Sequence, residues 1–384
     1  MRIGLVATEN QVKFGGVQHS VRRIATLLAE VGHAVTVVSI DYTPAPGPRR
    51  EATEQIQTAP FTLYRLAPAQ RQTKPNQVSR DLACFDWLTS FVRRERLDIL
   101  HAFYISATGF LTGLVAREYG IPFIASVRGN DLNQDLFNQH HFAHIRWTLE
   151  HADVLTFVNE SQLRRARHLC PISGLTRVIW NSIDPRAFEA TKVPEEYTCL
   201  PRPIVGTAGR FRQTKGIETL IDACARLARP VTLLLIGDVS PHEREYWESC
   251  VRPNVSPYVK VIVTGEVSHQ AMLSFHSILD IFVMPSLSDG CPNALLEAML
   301  VGRPVIAADT GAMREIIPQS QAGLLFAVGD ADGLALHLRH LIDSPALRAS
   351  MGRFAHAYAL GPLSPIYERD AWLNCYQTAL AGTR

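Results

Sequence analysis

The feature that most constrains this chain is a β–α alternation that runs through it twice. Short aliphatic and β-branched runs at 2–7, 34–40, 62–66, 99–102, 123–127, 154–158 and 176–179 alternate with stretches of helical apolar spacing. The first such stretch, 17–31, ends at Gly32. A parallel strand pair needs a crossover, and an amphipathic helix that hides its apolar face on the sheet supplies one. A Pro- and Glu-containing stretch follows at 194–203, and the alternation restarts at 204–207, 231–236, 259–263, 281–283, 305–307 and 324–326. At 384 residues the chain exceeds what one core ordinarily sustains. The fold class expected is α/β, with two doubly wound Rossmann-like domains facing across a cleft. Their expected extents are 1–185 and 186–364, joined near 181–203. Residues 42–60, rich in proline, read as an irregular excursion. The segment 365–380 reads as an amphipathic helix whose Tyr367, Trp372 and Tyr376 share a face.

Composition narrows the partners. A hydrophobic content of 47% with 19% charged residues describes a soluble globular chain, and a net charge of +2 gives no footprint for nucleic acid. The basic residues fall slightly more in 1–185 than in the remainder. Seven cysteines, an odd number at scattered positions, suit reduced thiols and a cytoplasmic setting. No secretory h-region follows the first strand, and no apolar run approaches the length of a bilayer span. No metal site is expected, because no Asp-x-Asp or His cluster stands in a context that would hold one.

Ligands of open α/β sheets bind beyond the carboxyl ends of the strands, so the segments after those ends carry the chemistry. After the run 280–284 come Pro285, a small polar loop containing Asp289 and Gly290, and a helix opening near Cys291 or Pro292. Unpaired N–H groups at a helix start suit a phosphate. Glu297, about one and a half turns in, can then accept hydrogen bonds from sugar hydroxyls. After 204–207 comes Ala-Gly-Arg-Phe-Arg-Gln-Thr-Lys-Gly, in which Gly209 allows close approach, Arg210 offers a fork and Lys215 a point charge to a diphosphate. Gly15 and Gly16 precede the first helix, but the G-x-G-x-x-G of a dinucleotide site is missing. Arg128 and Asp131 follow the strand 123–127 and are read as facing the cleft, with a structural ion pair as the plain alternative. Residues after two further strands, Gly237, Asp238, Gly265, Glu266 and Val267, are placed around a nucleotide base, with uridine, guanosine and adenosine all open.

The run from Ser288 to Ile306, the segment Gly209–Gly216 and the Gly15-Gly16 pair resemble the signatures of retaining glycosyltransferases of family 4, which have the GT-B fold. The resemblance extends over nearly the whole chain. It implies a nucleotide-diphosphate sugar as donor substrate, bound mainly by the second domain and without a required cofactor. Arg210 and Lys215 would take the diphosphate, Glu297 the ribose hydroxyls, and Asp289 the donor sugar. Gly290, Cys291, Pro292, Asn293 and Ala294 would lie along sugar and phosphate, and Gly16 would approach the phosphate. The helix at 365–384 would pack back on the first domain. That domain would bind a hydroxyl acceptor of unknown identity, with Asp131 and His101 on its acceptor side. Two positions depart from the family pattern: Asp289 replaces a Glu, and Arg128 stands where a His is common. Peripheral contact with the inner face of the cell membrane is a further expectation, resting on Arg71, Lys74, Arg164, Arg165 and Arg167, against the plainer reading of a solvated basic face. The competing functions are a sugar-nucleotide 2-epimerase of similar architecture and a non-catalytic sugar-nucleotide binder. A nicotinamide oxidoreductase ranks last, for want of the glycine fingerprint.

Overall fold

The computed structural model describes residues 1–9, 16–42, 52–58, 60–68, 77–188, 192–252 and 255–382. They form two compact units, Met1–Trp180 with the chain from Glu368 onward, and Asn181–Tyr367. In the first unit, β1 (Arg2–Glu9), β2 (Ala34–Asp41), β3 (Ala52–Thr58), β4 (Phe61–Ala67), β5 (Ile99–Phe103), β6 (Phe123–Val127), β7 (Val154–Phe157) and β8 (Leu175–Val178) build one sheet. Its order is β3-β4-β2-β1-β5-β6-β7-β8, parallel throughout except for antiparallel β3–β4. In the second unit, β9 (Ile204–Ala208), β10 (Val231–Ile236), β11 (Val259–Val263), β12 (Ile281–Met284), β13 (Val305–Ala308) and β14 (Gly323–Phe326) form a parallel sheet in the order β11-β10-β9-β12-β13-β14. This is the doubly wound Rossmann-like order, reversing direction between β9 and β12.

The central strands β5, β6, β9, β10, β12 and β13 are buried along their whole length, as expected where helices cover both faces. A recurring detail fixes where the strands begin. Asp98, Asp153 and Asp280 each stand one residue before a strand and accept the N–H of the first residue of the neighbouring strand. The contacts are Asp98 Oδ2 with Arg2 N (2.7 Å), Asp153 Oδ2 with Phe123 N (2.7 Å) and Asp280 Oδ2 with Ile204 N (2.8 Å). Each satisfies a donor that the sheet ladder cannot reach, so the Asp-aliphatic dipeptide marks a strand start in both units.

Two expectations fail here. Part of the excursion at 42–60 is a strand, β3, whose polar alternation around Ile56 suits a sheet edge and lacks the apolar run of a central strand. Tyr367 does not share a face with Trp372 and Tyr376: it is 64% exposed, whereas the other two are fully buried. Five residues of α-helix turn through 500°, which sets Tyr367 well off the line that Trp372 and Tyr376 keep at a spacing of four.

That line makes the helix Pro365–Gly382 part of the first unit's core, where Trp372, Cys375 and Tyr376 pack with Ile3, Leu5, Ile99 and Phe103. His101 of β5 lies under it. Its Nδ1 is 2.9 Å from Tyr376 Oη and its Nε2 is 2.7 Å from Ser126 Oγ, which is itself 2.6 Å from Thr156 Oγ1. The imidazole stacks on Phe103 and has no exposure, so the residue assigned to the acceptor side sits in a buried network that fastens the C-terminal helix. Burial, with a smaller contribution from the Arg128 guanidinium, pushes its pKa down to about 3. The unfolded chain therefore binds a proton between about pH 6.5 and 3 that the folded unit refuses, and stability falls as pH drops through that window. From pH 7 to pH 5 this group alone is expected to remove about 2 kcal/mol. Urea unfolding at both pH values checks this, and His101→Gln should flatten the slope by that amount.

Candidate active site of the second unit

The reversal of strand order between β9 and β12 opens a crevice at their carboxyl ends, and two loops occupy it. The loop after β9 runs through Gly209, Arg210 and Lys215 to Gly216; the loop after β12 runs from Pro285 to Pro292. They are joined by backbone, with Leu287 N donating to Thr214 O at 2.9 Å. Gly216 makes the approach feasible. Its φ is +62°, and a Cβ there would stand 2.2 Å from Pro285 O. Only glycine takes that backbone shape and that contact without strain.

Across this seam, Lys215 Nζ meets Asp289 Oδ2 at 2.6 Å, both side chains being partly exposed. Asp289 Oδ1 accepts from Gly290 N at 2.9 Å, and Ser286 Oγ donates to Oδ2 at 3.4 Å. The ammonium is thus held at a fixed point by a carboxylate that is itself anchored to its loop. Arg210, on the same loop as Lys215, is half-buried and has no ion-pair partner among the described residues.

The helix Asn293–Leu300 starts directly after the Asp289 loop, and no side chain of its preceding residue caps it. Its start is braced by Asn181, which sequence reasoning missed. Asn181 Nδ2 donates to Cys291 O at 2.8 Å and to Asn293 Oδ1 at 3.0 Å, with the residue 6% exposed. The available signal was an asparagine between the apolar pair Ile179-Trp180 and Ile183, since a buried amide must find partners. Glu297 is 4% exposed. Its Oε2 lies 3.1 Å from Nε2 of the fully buried His276, and its Oε1 lies 3.9 Å from His269 Nδ1.

The residues assigned to a base form the adjoining edge. Gly209, Gly237 and Gly265 follow neighbouring strands β9, β10 and β11, all with positive φ. A Cβ on Gly237 would fall 2.0 Å from Gly209 O, so the two turns pack backbone to backbone. Gly237 pairs across to Gly265, and its N–H donates to Thr264 Oγ1 at 3.0 Å. Asp238 lies 3.5 Å from Arg244, Glu266 is exposed and Val267 half-buried.

The site residues assigned to the first unit fare differently. Asp131 has no exposure, and its two oxygens accept the N–H groups of Ile105 and Arg128, each at 2.7 Å. Burial pushes its carboxyl up to about 6 against those two hydrogen bonds. Asp131 therefore fixes the turn after β6 rather than facing outward, and its partner is the backbone of Arg128, not its guanidinium. The Arg128 guanidinium carbon lies 5.7 Å from the Phe103 ring centroid, within cation–π range. Gly16 opens the first helix, Gly16–Glu30. Gly15, Arg71 and Lys74 lie outside the described residues. Of the three arginines on Glu160–Leu169, Arg165 donates to Leu132 O and Asn133 Oδ1, and Arg167 to Thr176 Oγ1; Arg164 is exposed. Among the described residues no group of His, Cys, Asp and Glu side chains is placed to hold a metal ion, and no helix is long and apolar enough to cross a membrane.

Comparison with known proteins agrees with this layout. Residues 14–187 match the model described as Glycosyltransferase Family 4, and residues 202–344 the model described as Glycosyl transferases group 1. The N-acetyl-alpha-D-glucosaminyl L-malate synthase of Bacillus anthracis is 27% identical over 292 residues, covering 72% of this chain and 73% of that protein. The sucrose-phosphate synthase of Thermosynechococcus elongatus superposes with a TM-score of 0.81 at 20% identity, over 99% of this chain and 100% of that one. HepE of Anabaena in complex with UDP-glucose superposes with a TM-score of 0.74 at 18% identity, over 98% and 99%. Those superpositions and the two sheets establish the fold, and the two family matches together span most of the sequence. The chain belongs to the family 4 glycosyltransferases and has their GT-B fold.

Proposed function

We propose that this glycosyltransferase moves a sugar from a nucleoside-diphosphate sugar to a hydroxyl acceptor, with retention at the anomeric carbon and without a metal ion. The observation that carries the reading is the Lys215–Asp289 contact at the strand-order reversal, flanked by Arg210 and by the helix start at Asn293. Breaking the bond between the anomeric carbon and the diphosphate puts negative charge on the leaving oxygens. Lys215, Arg210 and the N–H groups of the helix start are the preorganised donors that would take up that charge. Asp289 would border the donor sugar while it keeps Lys215 in place, Glu297 would hold the ribose, and Gly237, Asp238, Gly265, Glu266 and Val267 would border the base. The UDP-glucose in the HepE complex supports a nucleotide-sugar donor, as that protein has the same fold.

Retention by double displacement needs a carboxylate free to attack. Asp289 is engaged by Lys215, Ser286 and Gly290, and both Glu297 and Asp131 are buried and hydrogen-bonded. That engagement favours front-side attack. The acceptor oxygen forms the new bond on the face the diphosphate leaves, and its proton passes to a departing phosphate oxygen. The first unit would supply the acceptor side. Incubation with α-linked UDP-, GDP- and ADP-glucose and a panel of hydroxyl acceptors, with product anomers assigned by NMR, tests the proposal. An α-linked product formed at an unchanged rate in EDTA is expected. A β-linked product overturns retention, and an epimerised donor formed without acceptor replaces transfer by epimerisation.

A further inference from the structure

His276 was absent from every expectation, yet it is the only hydrogen-bond partner of the Glu297 carboxylate among the described residues. It sits on the short helix Met272–Ser277 with no exposure, its ring edge-on to Phe282 of β12 at 5.2 Å. Its Nδ1 is buried and has no hydrogen-bond partner among the described residues. A neutral imidazole carries one ring proton, and the only acceptor facing the ring is Glu297 Oε2, so that proton belongs on Nε2. Glu297 Oε1 makes no hydrogen bond among the described residues; the half-exposed ring of His269, packed on Phe188, lies 3.9 Å from it.

We infer that His276 is a positioning residue for the donor nucleotide: by donating to Oε2 it locks the Glu297 carboxylate so that Oε1 is presented to the ribose hydroxyls. This rests on the proposed role of Glu297. A glutamate has three side-chain torsions, and a carboxylate at 4% exposure is costly without a partner. One fixed donor removes both problems, and it leaves one oxygen uncommitted, which is what a ribose diol requires. His276 touches no part of the nucleotide itself and acts only through Glu297.

The test compares ribose with deoxyribose. Calorimetric titration of the full chain with UDP, GDP and ADP identifies the tightest nucleotide, and its 2′-deoxy and 3′-deoxy analogues are then titrated. His276→Phe is expected to weaken the ribonucleotide about tenfold, as loss of a hydrogen bond to a charged group does. The same variant should weaken at least one deoxy analogue less than about twofold, because the contact that His276 supports is already missing there. His276→Gln, whose amide N–H reaches close to the position of Nε2, should recover most of the affinity. If His276→Phe does not fold, His276→Asn, whose amide falls short of Glu297, takes its place. Equal losses for the ribonucleotide and both deoxy analogues, or no loss at all, overturn the inference while leaving the site assignment intact. If the unaltered protein binds none of the three nucleotides, the site assignment itself fails and this inference with it.

Discussion

Lys215→Ala is expected to lower kcat/KM by about 10²–10³, equivalent to roughly 3–4 kcal/mol, the effect typical of removing one preorganised donor from a developing negative charge. The loss should fall mainly on kcat, since the diphosphate carries more charge on the leaving oxygens in the transition state than in the bound donor. Stability should change little, because Lys215 and Asp289 are partly exposed and an exposed pair contributes on the order of 1 kcal/mol or less. Lys215→Arg keeps the charge but moves it off the point that Asp289 defines, and intermediate activity is expected. Steady-state kinetics on the three proteins, alongside their melting curves, separates a catalytic defect from a folding one. A Lys215→Ala enzyme with unaltered kcat would remove the residue from the reaction.

Arg23→Ala should produce the largest loss of stability, about 3–5 kcal/mol in the unfolding of the first unit. Arg23 Nε and Nη2 form a two-point contact with the Glu368 carboxylate at 2.8 and 3.1 Å, the side chains being 11% and 2% exposed. Trp372 Nε1 also points at Glu368, at 3.4 Å. Removing the guanidinium takes the two-point contact away from a buried carboxylate on the helix that Trp372 and Tyr376 anchor. Replacing both partners together, Arg23→Met with Glu368→Leu, removes the buried carboxylate along with the guanidinium and should restore most of the stability. Urea unfolding of the single and double variants reads the difference. A single variant as stable as the unaltered protein would mean that the pair does not hold the helix.

Much of this architecture is legible in the sequence because it depends on local pattern. Buried parallel strands must be continuous apolar runs, and the Asp before three of them, at 98, 153 and 280, serves a local need that repeats. What the pattern hides is whatever depends on distant partners. Strand β3 is polar because an edge strand relies on backbone pairing with β4, so nothing apolar announces it. Lys215 and Asp289 each stand out in the sequence, but 74 residues separate them, and only the seam closed by Gly216 brings the pair together. Asn181 is 110 residues from Cys291, and His276 lies on a short helix whose spacing says nothing of Glu297. The first unit shows the opposite error. Asp131 and His101 follow or sit on strands whose ends suggest a site, yet hydrogen bonds to Ile105, Arg128, Tyr376 and Ser126 hold both within the fold. A polar residue near a strand end satisfies a functional and a structural demand equally well on sequence, and only its burial tells them apart.

The central claim is that the loops beyond β9 and β12, with the helix start after them, grip the diphosphate of a sugar donor. Amide hydrogen–deuterium exchange, with and without saturating UDP, GDP and ADP, locates that grip directly. With at least one nucleotide, exchange should slow in residues 209–216 and 286–297 of the unaltered protein. Exchange unchanged in both segments under all three nucleotides would contradict the account.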